Sequence, residues 1–168
     1  MSLRTPAFVC LGLLLALAAC GPKKSAQGGA GNVPAGGAVP PELNPAGKAL
    51  IAALPAPYNT GDPVAGERIF TRCRSCHTTE EGAPDLTGPN LWGVYGRKAG
   101  SKAGYVYSDG MKTQGYAWDA AHLDKWLERP AAVVPGTKMA FVGLPSDQDR
   151  KDVIAYLKVA TSPLPAAK

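Results

Sequence analysis

The chain has 168 residues, 45% of them hydrophobic, with 20 Gly, 16 Pro and a formal charge of +5. That length fits one domain of about 100 residues with appendages rather than two domains of ordinary size. Between Asp62 and Lys158, 13 Lys and Arg stand against 12 Asp and Glu, so the basic surplus lies outside that stretch and leaves no basic face for a nucleic acid.

Residues 1–19 carry one cation, Arg4, and an apolar run from Ala7 to Ala19. Such a run is too short for a membrane span, which takes about 20 apolar residues. The charged start, short apolar centre and small residues predict a secretory signal peptide that is removed, Cys10 with it. A buried helix of a globular domain is the alternative, and the Gly-, Pro- and Ala-rich chain that follows speaks against it.

Leu17-Ala18-Ala19-Cys20, followed by Gly21, resembles the lipobox of bacterial lipoproteins. The resemblance implies a lipid on the Cys20 thiol and an anchor on the periplasmic side of the cell membrane. One acyl chain anchors only marginally, so more than one is expected; a plain secreted protein is the alternative. Residues 20–60 are then the tether. From Gly21 to Asn44 there is no apolar periodicity, and such composition cannot bury enough surface to offset chain ordering. Forty flexible residues have a typical end-to-end distance of about 35 Å. Within this stretch, Lys48 to Leu54 predicts one or two helical turns, stopped by Pro55 and Pro57 and packed loosely on the domain.

The domain proper is expected over 61–162, with a tail at 163–168. Asp62 is a fitting cap and Pro63 a fitting first residue for a helix from Val64 to about Arg74 that buries Ile69 and Phe70. Gly66 inside it costs about 1 kcal/mol against Ala, which points to a packing reason: a close crossing with the last helix near Tyr156. The helix delivers Cys73-Arg74-Ser75-Cys76-His77, and C-x-x-C-H reads as a c-type haem attachment. Two cysteines three apart share one side of a helical turn and can bond two vinyl groups, while the next residue points its imidazole at the iron. A thioredoxin-like pair would need a βαβ pattern around it. A zinc site would need four ligands, and no second cysteine pair exists.

Further along, Ser108-Asp109 opens a short helix to about Gln114. A third helix begins at Asp119 and stops by Pro130, with Leu123, Trp126 and Leu127 as its apolar stripe. The last begins at Ser146, where Ser146 and Asp149 have capping-box spacing, and runs to about Ala160 with Val153, Ile154 and Leu157 inward. No segment alternates as a strand. The expected fold is all-α, about four helices wrapped on one haem. For the sixth iron position, His122, Met111 and Met139 are the candidates. His122 lies beside the apolar stripe, as a partly exposed helical histidine would. Met139 sits in an irregular loop fixed by Pro135 and Gly136, and position alone leaves it as readily core filler as ligand.

CRSCH, GPNLWGVYGRKAG (88–100), YVYSDGMKTQGYAW (105–118), PGTKMAF (135–141) and DVIAYLK (152–158) closely resemble class I cytochromes c of the mitochondrial and bacterial c2 type. The resemblance covers about 62–161. It implies one haem c on Cys73 and Cys76, with His77 and Met139 as axial ligands and the Pro89 carbonyl accepting the other imidazole proton of His77. It further implies that Arg97, Tyr107 and Trp118 hold the haem propionates and that Thr137 supports the Met139 loop. Two positions depart from the mitochondrial type: Met111 replaces a buried asparagine and Trp126 a tyrosine. Ala131 and Ala132 stand where lysines of the partner-docking ring would be, and Arg72 and Lys138 remain of that ring. The function implied is a monomeric one-electron carrier, not an enzyme, with a bc1-type quinol-oxidising complex as donor and a terminal haem-copper oxidase as acceptor. A peroxidase or gas sensor would need Met139 to leave the iron, and neither a prepared distal pocket nor an output module is visible.

Overall fold

The computed structural model describes residues 43–163, so the expected signal segment, Cys20 and most of the expected tether lie outside the described residues. The element order is α1 (Pro45–Ala52), a 3-10 turn (Tyr58–Thr60), α2 (Pro63–Phe70), α3 (Asp109–Lys112), α4 (Ala120–Glu128), α5 (Pro130–Val133) and α6 (Asp147–Ala160). Among the described residues β structure is limited to one isolated bridge between Lys98 and Ala117, so the fold is helical.

The frame is the crossing of α2 and α6. At Gly66 a Cβ would collide with the Asp152 carbonyl oxygen and come within 2.8 Å of the Tyr156 Cβ, so the backbones approach only because no side chain stands between them. Beside the crossing, the Phe70 and Tyr156 rings pack at 5.0 Å. The core continues through Leu123, Trp126, Leu127, Val134, Leu144, Val153, Ile154 and Leu157. The Asp62 carboxylate accepts from the Val64 amide as the N-cap of α2, while its own amide donates to Asp152 at 2.8 Å. Cap and crossing therefore reinforce each other.

The helix starts follow the capping residues: Ser108, Asp119 and Ser146 each accept from a first-turn amide. The ends differ more. α2 stops at Phe70, four residues before the expected Arg74, because the chain tightens there: Cys73 N donates to Phe70 O at 2.8 Å and Cys76 N to Cys73 O at 3.0 Å. These i→i−3 bonds carry the chain through Cys76 as successive turns. α3 likewise ends at Lys112, and Pro130 starts the extra helical turn α5 as well as ending α4.

The helix expected over 48–54 begins at Pro45, capped by the Asn44 side chain accepting from Gly47 N at 2.8 Å. Its packing is not loose. Ile51 and Leu54 are buried, and Leu43 and Tyr58 lean on the core. Ile51 is buried at the end of α1 and Leu54 in the turn beyond it, its amide donating to Ile51 O at 2.9 Å, and at Gly61 a Cβ would collide with the Lys151 carbonyl oxygen. Residues 43–61 thus belong to the packed domain rather than to a tether. On the neighbouring side, Arg150 ties α6 to α4 by donating to Asp124 at 2.7 Å and to the Leu144 and Pro145 carbonyls.

Candidate functional site

The turns after α2 place Cys73, Cys76 and His77 along an open, mainly apolar pocket of about 360 Å³. His77 Nδ1 lies 2.7 Å from the Pro89 carbonyl oxygen. A carbonyl only accepts, so Nδ1 carries the proton and the Nε2 lone pair is left for a metal. Burial pushes the His77 pKa below its ordinary value, against the opposing pull of the Pro89 bond, so the ring is neutral near pH 7, as ligation requires. At Gly88 a Cβ would collide with His77 Cε1 and stand 2.8 Å from both ring nitrogens. That glycine leaves the space in which the imidazole lies.

The segment behind His77 is fastened by Asn90, which sequence reasoning missed. Its amide nitrogen donates to Thr78 Oγ1 at 2.7 Å and to the Glu80 carbonyl at 2.9 Å, and its amide oxygen accepts from Trp92 N at 3.0 Å. Its backbone amide donates to Asp85 at 2.7 Å, and Asp85 pairs with Lys102 at 2.8 Å. The asparagine lies inside the GPN run already singled out, but only the folded loop shows that its side chain is buried.

Cys73 and Cys76 form no disulfide and are half-buried at the pocket. Burial pushes the Cys73 thiol up to about 11, with Arg72 opposing, so this thiol is protonated at neutral pH.

Met139 lines the same pocket from the loop after α5. There the Thr137 amide donates to Val134 O at 3.0 Å, Gly136 adopts a positive φ of 73°, and Met139 N donates to Thr137 Oγ1 at 3.2 Å. The remaining lining includes Arg97, Tyr107, Met111, Trp118 and Trp126. Trp118 and Trp126 meet edge to face at 5.7 Å. Arg97 donates to the Trp92 and Asn90 carbonyls at 2.9 and 3.2 Å, which brings a fixed cation to the pocket wall. Arg72 and Lys138 are exposed at the pocket, the Lys138 ammonium donating to Val106 O at 2.9 Å. His122 is not among the lining residues. It pairs with Asp119 at 2.8 Å and stacks on Tyr116 at 4.2 Å between ring centroids. Cys20 falls outside the described residues.

A neutral imidazole, a thioether and two thiols share one apolar pocket with a guanidinium at its wall, and Gly88 leaves room for the imidazole. This donor set fits a covalently held haem, and with the helical fold it defines a c-type haem protein. The family model described as Cytochrome c matches residues 63–161, and the chain belongs to the class I cytochrome c family. It is 54% identical over 111 residues to cytochrome c2 of Rhodomicrobium vannielii, covering 66% of this chain and 88% of that one. It is 50% identical over 103 residues to cytochrome c of Ginkgo biloba, covering 61% of this chain and 91% of that one. The solved structure of cytochrome cH from Methylobacterium extorquens superposes with a TM-score of 0.55 at 46% identity, over 58% of this chain and 98% of that one. The chain is accordingly an electron-transfer protein with one covalently attached haem c, not an enzyme.

Proposed function

We propose that this chain is a membrane-tethered respiratory carrier whose haem is bonded through Cys73 and Cys76 and ligated by His77 and Met139. The haem supplies an iron that takes up and releases one electron. The protein's part is to keep the surroundings alike in both states. His77 is oriented by Pro89 and seated against Gly88. Met139 is set by the Thr137 hydroxyl. Arg97 offers positive charge to haem carboxylates, with Tyr107 and Trp118 beside it in the lining. Two strong ligands with no exchange between states keep reorganisation small, and a Met/His set raises the reduction potential. The observation that carries this reading is the neutral, carbonyl-held imidazole and the Met139 thioether in one pocket.

The finer terms of the proposal are an anchor at Cys20 on the periplasmic side of the cell membrane, a bc1-type donor, a haem-copper oxidase acceptor, and Arg72 and Lys138 in partner contact. Optical spectra test the ligand set. The oxidised protein should show the weak red charge-transfer band of methionine sulfur on ferric haem, lost in Met139→Ala and kept in His122→Ala. A band that survives Met139→Ala contradicts the assignment. Cys20→Ser should release active protein and slow quinol-to-oxygen electron flow in membranes; unchanged flow would reduce the tether to a spacer.

A further inference from the structure

Trp118 and Trp126, both buried and both in the pocket lining, meet edge to face at 5.7 Å. Trp118 in turn meets the Tyr116 ring edge to face at 5.2 Å, and Tyr116 stacks on His122 at 4.2 Å with 17° between the ring planes. Neither Tyr116 nor His122 lines the pocket, and the His122 side chain is 38% exposed. Aromatic rings in unbroken contact thus lead from the pocket wall, through Trp118 and Tyr116, to an imidazole at the surface of α4. Core packing accounts for the two tryptophans. It does not account for a tyrosine whose buried hydroxyl has no hydrogen-bond partner, or for the imidazole laid against its ring.

Resting on the carrier reading above, we infer that these rings form a second port for electrons, apart from the opening beside Arg72 and Lys138, and that a small cationic one-electron donor uses it at His122 and Asp119. The donor gives up one electron and the haem iron gains it, with no bond made or broken and no proton moved. Tyr116 suits such a bridge. A phenol that loses an electron must also shed its proton, and burial raises the Tyr116 pKa while its hydroxyl has no acceptor. The ring therefore passes the electron on without being oxidised itself. Charge selects the donor. Burial raises the Asp119 pKa, but the His122 amide and ring outweigh it and hold the carboxyl below its ordinary value. Asp119 is 61% exposed, so it presents a negative charge at the port, where the pocket opening presents the exposed cations Arg72 and Lys138. The surface also limits the donor's size. Among the described residues the exposed large hydrophobics are Leu86, Val106 and Val142, none of them on α4 or beside Tyr116. A protein partner would need an apolar centre to its interface. An electron can thus arrive through Tyr116 while the pocket opening is covered.

The chain has two histidines, and His77 is held by Pro89 inside the pocket, so a ruthenium bipyridine complex can be attached at His122 of the holoprotein. Electron transfer from the label to the haem is then followed after a laser flash. Tyr116→Leu should slow that transfer severalfold with the optical spectrum and reduction potential unchanged, and Tyr116→Phe should keep the parent rate. A Tyr116→Leu rate equal to the parent's overturns the inference, and so does a Tyr116→Phe rate as low as that of Tyr116→Leu. Binding is read separately, without electron transfer, using the redox-inert cation hexaamminechromium(III) on the unlabelled reduced protein. It should broaden the ring-proton NMR signals of His122 and Tyr116. Asp119→Asn keeps a capping side chain on α4 and should remove that broadening. With hexaammineruthenium(II) as donor, Asp119→Asn should slow reduction about threefold at about 10 mM ionic strength and not at about 1 M, where the screening length has fallen from about 30 to about 3 Å. Broadening confined to other surfaces, or equal reduction of parent and Asp119→Asn at low salt, overturns the donor site. A parent protein that hexaammineruthenium(II) does not reduce overturns the carrier reading and the port with it, whereas ordinary reduction that is insensitive to Tyr116 and Asp119 overturns the port alone.

Discussion

His77 and Met139 enter the same pocket from segments that the chain secures very differently. Behind His77, the ring is bonded to Pro89, pressed against Gly88, and backed by a buried asparagine whose side chain closes the loop from Thr78 to Trp92. Around Met139, the supports are one hydroxyl from Thr137 and a turn at Gly136, with Lys138 and Ala140 exposed on either side. Buried, fully satisfied polar networks are costly to open, while a loop with exposed backbone and few buried contacts opens locally at low cost. The difference teaches that a cofactor site need not be uniformly rigid: one ligand is fixed by the fold, and the other is held by a loop that the bound iron itself helps to keep in place.

Substitutions can break or sharpen that contrast, and the largest effect belongs to Gly88. In Gly88→Val the added carbons occupy the space of the imidazole. A loss of about 3 kcal/mol or more in the stability of the haem-loaded protein is expected, read from its denaturant midpoint, together with a disturbed low-spin spectrum. Next comes Asn90→Ala, which strands the Glu80 carbonyl and the Trp92 amide. Burial makes this cost about 2–3 kcal/mol in the same titration. Thr137→Val removes the acceptor for Met139 N, worth about 1 kcal/mol. Its effect should fall on the methionine band, which is lost at lower denaturant or lower pH above neutral while the global midpoint barely moves. A Thr137→Val cost larger than that of Asn90→Ala would invert the contrast.

The smallest effect concerns acid. Burial raises the Asp85 pKa, but the Asn90 amide and the Lys102 ammonium outweigh it and hold the carboxyl below its ordinary value. A carboxylate depressed in the folded state contributes stability that is present above its unfolded value, about 3.9, and lost as pH falls through the folded one. Asp85→Asn should therefore flatten the acid limb below about pH 4 by less than about 1 kcal/mol and leave stability near pH 7 lower than the parent's. An unchanged acid limb would remove Asp85 from the group of residues securing the His77 segment.

Much of the fold and of the haem-attachment turn could be read from the sequence. Ser108, Asp119 and Ser146 mark helix starts because their side-chain oxygens serve amides that every helix leaves unpaired. Gly66 and Tyr156 point to a crossing because a helical glycine needs a reason. The C-x-x-C-H turn names its chemistry outright. What stayed hidden depends on distant partners. Helix α1 lies beside a tether-like composition, yet Ile51 and Leu54 find the core, and only the position of α6 provides it. The early end of α2 at Phe70 follows from tight turns that no residue type announces. Asn90 carries no periodic signal, since its one buried side chain donates to the Thr78 hydroxyl and the Glu80 carbonyl and accepts from the Trp92 amide, partners spread over residues 78–92 of the loop. Arg150 reads as a surface charge at the start of a helix, and it is buried because Asp124 on α4 meets it.

The unequal hold on the two ligands is tested most directly by titrating the oxidised holoprotein with guanidinium while following the methionine charge-transfer band and the far-ultraviolet helical signal on the same samples. The band should be lost at a clearly lower midpoint, before the helices unfold. Coincident loss of band and helix in a single transition would contradict it.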